Sequence, residues 1–181
     1  MSGHKTNAAR VLDSLGIRYE IREYEVDPEE FSALVVAEKI GLPAEQVFKT
    51  LLCVTSDREH VFAVVPGDAE LDFRKLAAAA GTRKVEMVSL KEVQPLTGYV
   101  RGGVTVFGAK KSFPVYVDET LELFEMISVS AGLRGVQVLL SPAEYLRASK
   151  GTVADLTRQG PGYREQGTGE RVEAAGRGGK A

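Results

Sequence analysis

"VFKTLLCVTSDREHVFAVVP", residues 47–66, places two apolar runs on either side of the polar turn "SDRE". Runs of this length, rich in Val, Leu and Phe and joined by a short polar loop, predict a β-hairpin. One residue stands out: Lys49 lies among Phe48, Leu51 and Leu52. An ammonium buried without a partner is strongly unfavourable, so this lysine either carries its charge to water along the strand edge or meets an acceptor. The first explanation suffices if the residue is considered alone.

Elements follow outward from the hairpin. Upstream, "TNAARVLDSLG" predicts a helix with Thr6 or Asn7 as cap and Gly16 as terminator, "IRYEIREYE" alternates as a strand, and "EEFSALVVAEKIG" is a second helix closed by glycine. Downstream, Asp72 caps "FRKLAAAAG", "KVEMV" is a short strand, and "SLKE" has the form of a capping box. "TGYVRGGVTVFGAKK" holds Gly98, Gly102, Gly103 and Gly108, too many for a regular element. "FPVYVDE", "FEMISVS" and "RGVQVLL" are further strands, and "SPAEYLRASKG" is a helix with Ser141 as cap, Pro142 at its first position and Glu144 completing the box. The sum is a single α+β domain over residues 1–158 with about six or seven short strands. From Gln159 to Ala181 the chain turns rich in Gly and charge and nearly loses its aliphatic residues, which predicts a disordered tail.

With 181 residues, 44% of them hydrophobic, the chain is long enough for one substantial core. A formal charge of -2 argues against blanket electrostatic binding to nucleic acid, and against DNA as a partner. Cys53 is the sole cysteine, so no intramolecular disulfide forms and nothing near it resembles a zinc ligand set. A reducing cytoplasm fits that usage. The N-terminus lacks the apolar run of a signal peptide, and no later segment approaches the length of a membrane span. No metal and no cofactor are expected.

An ordinary hydrolase would advertise a base, but the two histidines, His4 and His60, fall in the N-terminal lead and at a hairpin edge. Both read as solvated surface residues. No nucleophile elbow, "HExxH" helix or Walker loop is present. Cys53 reads as a small buried hydrophobe, and Glu25, Asp27, Glu29 and Glu30 as a solvated run at a helix entry. Two glycine loops, "TGYVRGG" and "SVSAGLRG", each set basic or hydroxyl residues beside backbone amides that can form an anion-binding nest, although a plain turn is the default for either. What alters the weighting is their co-occurrence with Lys49 in a chain without conventional catalytic groups.

Taken in order, "VFKTLL", "KVEM", "TGYVRGG", "GAKKSFPVYVDE" and "SVSAGLRG" resemble the YbaK family of trans-acting aminoacyl-tRNA deacylases, from the first helix to about Thr157. Members are similar to the editing insertion of bacterial prolyl-tRNA synthetase standing alone, with a barrel-like mixed sheet and surrounding helices. The resemblance implies removal of cysteine wrongly attached to tRNA(Pro), with prolyl-tRNA synthetase in a transient ternary complex; sister branches that edit alanine or serine share the scaffold. It further implies that Lys49 is catalytic and faces the charged 3′ end of the tRNA. Thr50, the loop residues Thr97, Gly98, Tyr99, Gly102 and Gly103, and Ser130, Gly132 and Arg134 would wall the pocket, with Tyr19 and Phe31 as its aromatics. The chemistry supplies a rationale, because proline and cysteine are similar in size and a synthetase pocket separates them by only about 1–3 kcal/mol.

Overall fold

The computed structural model describes residues 5–158. His4 and the tail expected from Gln159 onward lie outside the described residues. Helices α1 (Asn7–Ser14), α2 (Ala33–Ile40), α3 (Phe73–Ala80), α4 (Leu90–Thr97) and α5 (Pro142–Ser149) alternate with eight strands. These are β1 (Glu20–Glu23), β2 (Phe48–Thr55), β3 (His60–Pro66), β4 (Val85–Met87), β5 (Val115–Asp118), β6 (Ile127–Leu133), β7 (Val136–Leu140) and β8 (Thr152–Ala154).

The strands form two sheets, ordered β4-β2-β3-β5-β8 and β1-β7-β6. The predicted hairpin is the heart of the larger one: β2 and β3 pair antiparallel from Phe48↔Pro66 to Val54↔His60. β3, β5 and β8 continue in parallel. β8 is the strand missing from the expected six or seven; at three residues it is too short to show an alternation. The sheets do not close into a barrel. Between them the described residues show one isolated parallel bridge, Val47↔Ser128.

Both faces of the larger sheet are apolar, as a sheet sandwiched between layers must be. On one face Cys53, Val61, Ala63 and Val65 pack against Leu76 and Ala77 of α3. On the other, Phe48, Leu52, Phe62 and Val64 meet Val129 and Val138 of the smaller sheet, Leu12 of α1 and Tyr145 of α5. Caps fall largely where the residues predict: Thr6 Oγ1 accepts from Ala9 N, Ser141 Oγ from Glu144 N, and Gly41 ends α2 in the left-handed region. Ser89 departs from the expected capping box. Its side chain makes no cap bond, and its carbonyl instead accepts from Glu92 N at 3.0 Å.

Candidate active site

A cleft of about 670 Å³ opens where β2 parts from its neighbours, with Phe31 before α2, Arg101 and Gly102 of the glycine loop, and Ser130 of β6 around it. β4 pairs with β2 only from Cys53 to Thr55, and the bridge to β6 lies at Val47. The wedge between these two joints is floored by Phe48 to Leu52, which all line the cleft.

Lys49 is half-buried there, and its Nζ donates to the Gly67 carbonyl at 3.3 Å. Burial lowers its pKa from the ordinary lysine value, while Asp68 and Glu70 act in the opposite sense. The lysine thus has a protein acceptor and a nearby acidic field, and still borders the cleft.

Phe31 is clasped by cations. The Arg134 guanidinium lies 3.9 Å from its ring centroid and that of Arg101 5.7 Å away, while Arg134 Nε donates to the Arg101 carbonyl at 2.8 Å. Gly102 makes room for the ring. At φ +90° it occupies a conformation L side chains avoid, and a Cβ there would stand 2.7 Å from Phe31 Cδ1.

Of the residues singled out in the sequence, Phe31, Lys49, Thr50, Gly102 and Ser130 come together on the cleft lining. Arg134 touches the cleft through Phe31, and Gly103 packs behind it, where a Cβ would meet Arg134 N at 3.3 Å. Gly132 donates its N–H to Ser130 Oγ at 3.0 Å, but its open side faces Tyr99, whose Cε1 would lie 2.9 Å from an added Cβ.

Four others sit apart from the lining. Tyr99 is buried with its hydroxyl donating to the Phe107 carbonyl at 2.6 Å. Thr97 is fully buried, donating to Val93 O and accepting from Tyr99 N. Gly98 caps α4 in the left-handed region. Tyr19 packs against the core and donates its hydroxyl to Asp13 Oδ1 at 2.8 Å. The side chains of Tyr99, Thr97 and Tyr19 are engaged by partners within the protein, and Gly98 serves as the helix terminus.

Several lining residues were not among the predicted site residues, including Glu29 and Glu30, read as a solvated run, and Arg101 and Gln137. Arg101 stands inside "TGYVRGG", hidden by attention to its glycines. Gln137 is a buried polar residue in the second position of β7, accepting from Ser128 Oγ at 2.7 Å. Its signal, a polar residue inside an apolar strand, is the one that drew attention to Lys49.

The conventional nucleophiles are elsewhere. Cys53 is 0% exposed, and burial pushes its thiol pKa up to about 12, so it is neither accessible nor ionised at neutral pH. His60 lies at the far end of the hairpin, with its ring 5.4 Å from that of Phe113. Among the described residues, no group of three or more His, Cys, Asp or Glu side chains converges as a metal site would.

The cleft is partly apolar and bears Lys49 and Arg101 together with Glu29 and Glu30, while the protein's thiol and its described histidine lie outside the lining. The chain belongs to the aminoacyl-tRNA editing domain family, whose model matches residues 27–148. It is 42% identical over 153 residues, covering 84% of this chain and 93% of the relative, to EbsC of Enterococcus faecalis, named as a candidate Cys-tRNA(Pro)/Cys-tRNA(Cys) deacylase. It is 30% identical over 127 residues, 68% of this chain and 76% of the relative, to the multifunctional Ser/Thr-tRNA deacylase ProXp-y of Escherichia coli strain K12. Among solved structures, a candidate trans-editing enzyme for prolyl-tRNA synthetase superposes with a TM-score of 0.73 at 26% identity, over 88% of this chain and 99% of that one. The described helices include none long and apolar enough to cross a membrane.

Proposed function

We propose that this protein removes cysteine from mischarged tRNA(Pro), and that the cysteine's own thiol performs the displacement. The observation that carries the mechanism is the composition of the cleft. Lys49 and Arg101 border it, with Glu29 and Glu30 on the same lining, while Cys53 and His60 are not among its lining residues. An aminoacyl ester is already activated, so orientation and stabilisation of a developing negative charge are what a protein must add. The substrate sulfur attacks the ester carbonyl carbon, a C–S bond forms, and the ester C–O bond breaks. The thiol proton ends on the departing ribose hydroxyl, by way of water, and a four-membered thiolactone remains to be hydrolysed. Lys49 contributes positive charge toward the phosphate or sugar of the tRNA 3′ end and does not act as a base.

The substrate assignment is supported by the naming of EbsC. With a formal charge of -2, this chain releases few counterions on binding RNA, so selection of one tRNA falls to prolyl-tRNA synthetase in a transient complex in the cytoplasm. A second reading, editing of hydroxyl amino acids, is favoured by the likeness to the Ser/Thr-tRNA deacylase.

The test is deacylation of cysteinyl-, alanyl- and seryl-tRNA(Pro) by the wild type and Lys49→Ala at one salt concentration. Cysteine-selective cleavage that falls at least about 100-fold in Lys49→Ala is expected, in line with the loss of one charge-stabilising group. Seryl or alanyl ester cleaved as fast as the cysteinyl ester would overturn the thiol route. No cleavage of any ester would leave a binding module.

A further inference from the structure

The cleft contains a short stretch of sheet edge, and its backbone polarity follows from the register. Gly67 N donates to Val47 O at 2.7 Å and Thr55 N to Glu59 O at 2.8 Å. In an antiparallel ladder such pairs recur every second residue, so the N–H and C=O of Lys49, Leu51 and Cys53 turn toward β3. Those of Phe48, Thr50 and Leu52 turn the other way. Pro66 opposite Phe48 agrees with this, since a proline has no N–H to give and is tolerated away from the ladder bonds.

On that other side Leu52 O accepts from Val88 N at 3.1 Å, and the bridge to Ser128 closes the start of the strand. Between the two joints lies Thr50. Among the described residues no strand pairs with Thr50 on this side, and Val47, Leu52 and Val88 at the borders of the gap line the cleft. A sheet edge normally recruits another strand, and proteins cover or blunt it. Here the gap has room for one residue.

We infer that the main chain of Thr50 pairs with the aminoacyl group of the ligand as if that amino acid were a single residue of an added antiparallel strand. This rests on the aminoacyl-ester reading above and deepens it. The Thr50 N–H donates to the ester carbonyl oxygen, and the ligand's α-ammonium donates to the Thr50 C=O, the reciprocal exchange of a close antiparallel pair. Two consequences follow. These contacts use only atoms that every α-amino acid shares, so they fix the carbonyl without selecting the side chain. Directly paired residues project their side chains to the same face, so the ligand's side chain emerges beside that of Thr50, where selection is made.

The test combines amide exchange with backbone editing. The probe is a non-hydrolysable 3′-amino-3′-deoxyadenosine carrying cysteine in amide linkage. In the free protein the Thr50 amide should exchange at least about tenfold faster than that of Cys53, whose N–H belongs to the β2–β3 ladder. Adding the probe should slow Thr50 at least about tenfold. Replacing Thr50 by its α-hydroxy acid, which keeps the side chain, deletes the N–H and leaves the Lys49 carbonyl a weaker ester acceptor, should lower kcat/KM at least about tenfold with a smaller loss of Tm than at Cys53. The same replacement at Cys53 should lower Tm and spare kcat/KM. The inference is overturned if the probe binds while Thr50 exchange stays unchanged, an outcome that leaves the deacylase reading standing. It is overturned equally if the probe does not bind. Protection of Thr50 by the probe in a protein that cleaves no ester would keep the edge pairing and remove the deacylase reading.

Discussion

Gly102 and Gly132 have nearly the same backbone, at φ +90° and +94°, and each seats an aromatic ring against its missing side chain. The rings have opposite fates. Phe31, above Gly102, is half-buried, held by two guanidinium groups and set on the cleft wall. Tyr99, beside Gly132, is buried with its hydroxyl donating to the Phe107 carbonyl. A positive-φ glycine beside a ring therefore marks a close approach and not, by itself, a ligand site. What separates the two is the second layer, arginine in one case and a core carbonyl in the other.

The largest expected effect separates the two glycines directly. Gly132→Ala must move a buried ring and adopt a disfavoured φ, and should lower stability by about 2–4 kcal/mol in urea denaturation. Gly102→Ala meets a ring that can swing into the cleft, and should cost about 1–2 kcal/mol of stability but at least tenfold in kcat/KM. Equal stability losses would break the contrast. The rings offer the next test. Tyr99→Phe strands the Phe107 carbonyl and should cost about 1–2 kcal/mol of stability, whereas Phe31→Leu should register as a rise in KM.

Arg134→Gln removes the nearer cation from Phe31, an interaction of about 0.5–1 kcal/mol, and should raise KM a few-fold, more at low salt than at high. The smallest effect concerns Lys49, a cleft group placed where burial disfavours its charge. Its folded pKa is lowered, so just below 10.5 the unfolded chain binds more protons and wild-type stability rises with pH. Lys49→Met lacks that rise. Its Tm should equal or exceed that of the wild type at neutral pH, with the difference shrinking as pH approaches 10.5.

The same contrast explains what the sequence could disclose. The hairpin was legible because both runs and their turn are local, and Lys49 was legible because an ammonium in an apolar strand is chemically conspicuous. Gly102 was legible as a loop residue, whereas Ser130, read as part of a glycine loop, lies within β6 at the start of a register shift that runs to Leu133. Which way Tyr99 and Tyr19 turn depends on Phe107 O and Asp13, partners set by tertiary packing that composition does not encode. β8 went unseen for a related reason: Thr152–Ala154 becomes a strand only by lying beside β5. Gln137 was overlooked although it carried the same kind of signal as Lys49.

Cys53 closes the account from the side of redox chemistry. A protein proposed to handle thiol-bearing ligands would be exposed to mixed-disulfide formation if its own sulfur could exchange with them. The only cysteine of this chain lies wholly inside the α3 side of the sheet, with its sulfur 3.9 Å from Met87 Sδ and almost none of it as thiolate. Disulfide stress would then act on the ligand's thiol and leave the protein's cysteine out of the exchange, while the exposed Met87 on the cleft lining carries the sulfur that peroxide would reach.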